Sequence, residues 1–119
     1  MGEYKQELRS LTKKMRQYNE EALYRLTNDH EQDGHYFYEE VKPYMDAFDQ
    51  DVAEWSRVCE HWIKEAKPKY IHKKQIETAT ENLHQVVLQS FYESSRRVRV
   101  KEMISANRYI LDSILELLQ

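Results

Sequence analysis

Apolar residues recur along this chain at alternating spacings of three and four, the period of a helix with one buried face. From the start, Tyr4, Leu8, Leu11, Met15, Tyr18, Ala22 and Leu26 form a single stripe. The period is lost over 27–34, which ends in Asp33-Gly34, a turn signal. A second stripe, Tyr38, Val41, Met45, Phe48, Val52, Trp55, Cys59 and Trp62, keeps the alternation without a break and reads as a heptad-like seam. Pro43 falls inside it. Its missing N–H and its ring oppose the carbonyl of Glu39, and it biases Lys42 away from helical geometry. The sequence therefore predicts a second helix kinked or broken near Pro43, or a short separate helix over about 36–41.

The segment Lys67-Pro68-Lys69-Tyr70 stops this helix. With His72 as N-cap, Gln75 takes the third helical position, and Ile71 and Ile76 occupy the two positions of a hydrophobic staple. A third stripe runs through Ile76, Ala79, Leu83, Val86, Val87, Ser90 and Phe91. Ser94 or Ser95 caps a fourth helix with the stripe Val100, Met103, Asn107, Ile110, Ile114 and Leu117, widened by Ile104, Leu111 and Leu118. Short connections make successive helices antiparallel neighbours. The predicted fold is all-α, one domain over 1–119, an antiparallel up-down-up-down four-helix bundle.

Composition agrees. Two Gly and two Pro in 119 residues leave too little turn chemistry for an all-β or α/β domain. The 40% hydrophobic content supplies enough buriable surface to rule out a disordered chain. No apolar run approaches the roughly 18 residues of a membrane span, and the first thirty residues alternate charge with hydrophobe rather than forming a signal peptide. Gln6 stands where a myristoylation motif beginning at Gly2 needs Ser or Thr. A cytoplasmic address without membrane association is expected. The lone cysteine, Cys59, cannot form an internal disulfide and sits on an apolar stripe, where a thiol acts as a small hydrophobe.

Charge is arranged by the topology. Asp29, Glu31, Asp33, Glu39 and Glu40 belong to the same end of the bundle as Arg96, Arg97, Arg99 and Lys101, so acidic and basic groups are expected to face each other there. Lys64, Lys67, Lys69, Lys73 and Lys74 lie at the other end, with both termini. Basic clusters interleaved with Tyr70, Tyr92 and Tyr109 superficially suggest nucleic-acid binding. A net charge of −3 and the compensating acidic loop disfavour it.

Carboxylate-bridged metal centres in helical bundles need two Glu-x-x-His motifs and two further inward Glu. Only Glu81-Asn82-Leu83-His84 fits, and Leu83 on the seam turns Glu81 and His84 toward solvent. His30 and His35, beside Asp29, Glu31 and Asp33, would at most hold a surface metal loosely. There is no Gly-rich phosphate loop, nucleophile elbow or framed Cys-His pair. No catalytic, cofactor-binding or metal-ligating residue is therefore assigned. Asn107 stands out as an amide in the middle of an apolar stripe. It is expected to set register and to bond a Tyr hydroxyl, or backbone freed by Pro43, at the level of Tyr18, Ala22 and Tyr44.

The run Lys67-Pro68-Lys69-Tyr70-Ile71-His72-Lys73-Lys74-Gln75-Ile76-Glu77, followed by Val87-Leu88-Gln89-Ser90-Phe91, resembles the corresponding stretch of the YppE-like family. The resemblance extends over nearly the whole chain. It implies an all-helical bundle from a Bacillus-type Gram-positive bacterium and a cytoplasmic location. It implies no activity, because that family has no assigned function or site residues.

Function thus rests on a core pattern with no chemistry attached. The expectation is a nonenzymatic helical-bundle interaction protein, using aromatics outside the seams such as Tyr36, Tyr70, Tyr92 and Tyr109 to bind a protein partner or a second copy. The alternative is a metal- or small-ligand-binding bundle that uses the surroundings of Asn107 or the Glu81/His84 pair.

Overall fold

The structure, a computed structural model, describes residues 3–27, 37–92 and 97–119, with backbone alone for Glu3, Phe37 and Tyr38. Its helices are α1 (Glu3–Thr27), α2 (Lys42–Ala66), α3 (Lys73–Gln89) and α4 (Arg97–Leu117), with a π-helical segment, Phe37–Val41, running directly into α2. α1 packs against α2 and α4, and α3 packs against the same two. The bundle is therefore a square in chain order, up-down-up-down, with α1 and α3 touching across one diagonal and α2 and α4 apart on the other.

The irregularity expected near Pro43 takes the form of that π-helical segment. Pro43 stands within the first two positions of α2, and Val41 before it keeps helical dihedrals. The wider turn relieves the ring's opposition to the preceding carbonyls without breaking the helix. The seam of α2 is buried as expected: Phe48, Val52, Trp55, Cys59 and Trp62 are in the core, joined by Val58. Burial pushes the Cys59 thiol far above its ordinary range, so it stays protonated and inert. Every residue of the predicted α3 stripe, from Ile76 to Phe91, is buried.

The two outer helices differ from their predicted seams by one step. On α1 the buried series is Leu8, Thr12, Met15, Asn19, Ala22 and Leu26, while Tyr4, Leu11 and Tyr18 are only partly covered. On α4 it is Val100, Ile104, Asn107, Leu111, Ile114 and Leu118, while Met103 and Ile110 are partly covered and Leu117 is exposed. Both buried series keep strict four-three spacing, but that of α1 runs through two polar residues. Thr12 is made tolerable by its bonds: its hydroxyl donates to the Leu8 carbonyl at 2.7 Å and accepts the Trp55 indole N–H at 3.1 Å.

The turn from α2 to α3 follows the sequence reading. Lys67 closes α2 in the left-handed region, with its N–H on the Ile63 carbonyl at 3.1 Å. The Gln75 side chain accepts the His72 N–H at 2.6 Å, a capping-box contact, and Ile71 and Ile76, the expected staple, enter the same core cluster. At the other end, Asp29, Glu31, Asp33, Ser94, Ser95 and Arg96 lie outside the described residues. Of the described charges there, Glu39 and Glu40 form no ion pair with Arg97, Arg99 or Lys101, so the expected facing of acidic and basic groups is not found among the described residues. All of these side chains are exposed, where water solvates them separately at little cost.

One carboxylate pair across α1 and α2 gives a pH-dependent expectation. A hydrogen bond with Glu54, then loss of water contact, holds the Glu7 carboxyl above its ordinary value of 4.5, while the Arg57 side chain lowers that of Glu54. A folded pKa above the unfolded one contributes stability that is complete below the unfolded value and is lost as pH rises through the folded value. Glu7→Gln is expected to raise the thermal midpoint at neutral pH, with the gain vanishing by about pH 4. Calorimetric scans of both proteins across that range are the check.

Candidate functional site

The outer surface between α3 and α4 is hollowed, and the reason lies in side-chain size. Gln75, Thr78, Ala79 and Asn82 on α3 face Ala106, Asn107 and Ile110 on α4, and these small or slender groups leave a depression of about 270 Å³. Toward the α2–α3 turn it continues into a second hollow of about 460 Å³, between Lys69, Tyr70 and Ile71 on one side and Tyr109, Ser113, Glu116 and Leu117 on the other. Gln75, Tyr109 and Ile110 line both, so the two form one groove along the helix pair.

Large apolar side chains stand around this groove in water. Tyr70 is 82% exposed, Tyr109 77% and Leu117 49%. Tyr70 has positive φ (70°), in the left-handed region that a residue with a Cβ enters at a cost of about 1 kcal/mol. Two of the expected surface aromatics, Tyr70 and Tyr109, are thus brought together. Tyr92 lies past the far end of α3, roughly 25 Å away by helical rise, and takes no part. Tyr36 lies outside the described residues. Tyr24, exposed on α1, was not singled out by the sequence because it lies off every stripe.

Asn107 forms part of the groove wall, yet only 1% of it is exposed. Its expected partner was a Tyr hydroxyl or backbone near Pro43, and the structure corrects this. The Asn107 Nδ2 donates to Oδ1 of Asn19 at 3.1 Å, and the Asn19 Nδ2 donates to the Ile104 carbonyl at 3.0 Å. The level along the bundle was right and the neighbour wrong. α4 touches α1, whereas the helix carrying Pro43 lies across the diagonal, out of reach. Tyr18 and Tyr44 instead donate to the carboxylates of Asp51 and Glu21. Burial, then the hydrogen bond to Glu21, pushes the Tyr44 hydroxyl up to about 12, so it stays protonated as a donor.

The remaining candidates do not converge. Glu81 is exposed, and His84 pairs with Asp49 at 3.4 Å and meets the Phe48 ring edge-on. Among the described residues no three His, Cys, Asp or Glu side chains are grouped to hold a metal ion, and His30 and His35 fall outside them. A feature with no pattern in the sequence is Arg25. Its guanidinium carbon lies 4.7 Å from the Tyr44 ring centre and 4.1 Å from that of Phe91, and its Nε donates to the Ser90 hydroxyl at 2.9 Å. The rings cover its buried Nη2, which has no hydrogen-bond acceptor among the described residues. This closes the bundle end away from the groove.

Residues 12–118 match the family model of DUF1798, a bacterial domain of unknown function. The chain is 33% identical to the uncharacterised protein YppE of Bacillus subtilis over 78 residues, 66% of this chain and 63% of that protein. That alignment thus spans under two thirds of YppE's length. A crystal structure of YppE superposes with a TM-score of 0.80 at 29% identity, covering 93% of this chain and 91% of YppE. A crystal structure of a protein of unknown function from Listeria innocua gives a TM-score of 0.87 at 19% identity, covering 99% and 95% of the two chains, a likeness of fold.

The amide pair makes a double-mutant prediction. Asn19→Leu or Asn107→Leu alone strands a buried amide and is expected to cost about 1–3 kcal/mol in urea unfolding. The double variant is expected to cost clearly less than the two singles added together, because no polar group is left unpaired. Additive losses would show that the two amides do not act as a pair.

Proposed function

The chain belongs to the DUF1798 family, a bacterial domain of unknown function, and on that footing we propose that it is a nonenzymatic, cytoplasmic interaction protein whose α3–α4 groove receives an apolar partner surface. The observation that carries this reading is the gathering of Tyr70, Tyr109 and Leu117, all exposed, around one groove. Scattered single apolar residues are normal on any surface, but a contiguous set beside a concavity is what protein partners bury. Tyrosines suit such a role, since each offers a large contact area with few rotors to freeze and a hydroxyl that tolerates water. No helix among the described residues is long and apolar enough to cross a membrane.

A small apolar ligand is the second reading, favoured by the mostly apolar hollow above Asn107. Its size suits a compact ligand. Native mass spectrometry of untagged protein from its host would reveal a retained small molecule, and elemental analysis of the same sample would reveal a metal.

Tyr109→Ser removes the aromatic common to both hollows while leaving the core intact. Pull-downs from a native bacterial lysate are expected to lose their specific proteins with this variant at unchanged circular dichroism. Identical captured sets for wild type and variant would sink the groove reading. Tyr70→Gly is expected to reduce capture as well, while stability is unchanged or rises by up to about 1 kcal/mol as the left-handed turn becomes free of strain.

A further inference from the structure

We propose that the groove docks a second copy of this chain, about a two-fold axis running along the groove. The proposal rests on the groove being a docking surface and adds what occupies it. The two walls carry opposite charge, and in the larger hollow the opposite charges line the same cavity. Lys69 and Lys74 stand on the α3 side and Glu116 on the α4 side, with Lys69 and Glu116 facing each other across the larger hollow. All three are exposed, and none has an ion-pair partner among the described residues. The other charges of the α4 wall are engaged: Arg108 binds Glu20 and Asp112 binds Arg16.

A two-fold axis parallel to the helices exchanges the walls of the groove without changing height. Lys69 of each copy then meets Glu116 of the other, giving two equivalent ion pairs. The α3 helix of one copy comes to lie antiparallel to α4 of the other, the arrangement already used within the bundle. A two-fold axis across the groove would instead set lysine against lysine and glutamate against glutamate if it passed at their height, and would part the charges at any other height. Charge therefore selects one symmetry. Tyr109 and Ile110 of the α4 wall then come to lie against the α3 wall of the other copy, while Tyr70 and Leu117 cover the end. An unrelated partner would need acid on one flank and base on the other, which a second copy supplies.

Sedimentation equilibrium across a concentration series tests the proposal. Wild type is expected to be dimeric at roughly 100 µM, where a dissociation constant of about 10 µM leaves most chains paired. Lys69→Glu and Glu116→Lys are each expected to weaken pairing by about tenfold, since each places like charges opposite one another twice. The double variant Lys69→Glu/Glu116→Lys is expected to recover to within about threefold of wild type, because the pair is restored with its signs reversed. A monomeric wild type at that concentration, or a double variant no better than either single, overturns the second-copy proposal. A monomeric wild type that still captures proteins through Tyr109 overturns that proposal alone. The absence of any Tyr109-dependent association, with self or with other proteins, overturns the groove reading as well.

Discussion

Three edges of the square bundle join helices consecutive in the chain, but the fourth, between α1 and α4, has no connecting segment and must be closed by side chains alone. Polar pairs do this, and from Arg9 to Asn19 on α1 the partner's number falls along α4. Arg9 donates to the Leu118 carbonyl, Arg16 to Asp112, Asn19 to the Ile104 carbonyl while accepting from Asn107, and Glu20 accepts from Nε and Nη2 of Arg108. Apolar contact alone is permissive of sliding, because four-three stripes repeat along both helices. A buried amide pair is not permissive: one step of slip leaves each amide facing hydrocarbon. The half-exposed ion pairs add little energy individually but agree with the amides on one register.

This closure explains what the sequence revealed and what it hid. The stripes of α2 and α3 are built from apolar residues throughout, apart from Ser90, and were legible from Phe48 to Trp62 and from Ile76 to Phe91, with Met45 only partly covered and Val58 added. On α1 and α4 two overlapping stripes compete, and periodicity cannot choose between them. A reading that favours apolar residues takes Leu11 and Tyr18 on α1, whereas the buried positions are Thr12 and Asn19. Tertiary partners decide the matter: the Trp55 indole needs an acceptor and Asn107 needs a second amide. Asn107 was visible because its stripe was otherwise apolar, while Asn19 was hidden beside a more hydrophobic neighbour. The available signal was the unbroken four-three series from Leu8 to Leu26, complete only if Thr12 and Asn19 are admitted.

The groove is the other face of the same choice. Turning Ile104, Asn107, Leu111 and Leu118 inward rotates the competing apolar stripe of α4 outward, so that Ile110 and Leu117 border the hollow beside Tyr109. α4 carries more apolar surface than one seam can absorb, and the surplus gathers where Ala79 and Ala106 leave room. None of this was legible from spacing, because the groove exists only once α3 and α4 are placed side by side. The tyrosines were visible as residues outside the seams, but which of them share a face depends on the register that the amide pair sets.

The two ends of the bundle treat their aromatics in opposite ways, and the contrast bears on where function resides. Tyr44 and Phe91 bracket the Arg25 guanidinium, so their ring faces are spent on an internal cation. Tyr70 and Tyr109 have no such occupation, and Tyr70 is held outward by a left-handed backbone where glycine would sit without strain. Core packing does not require a tyrosine that is four-fifths exposed, and the turn would be relaxed by its loss. On the proposed interaction reading, a residue that costs the fold something and returns nothing to the core is one that a partner would use.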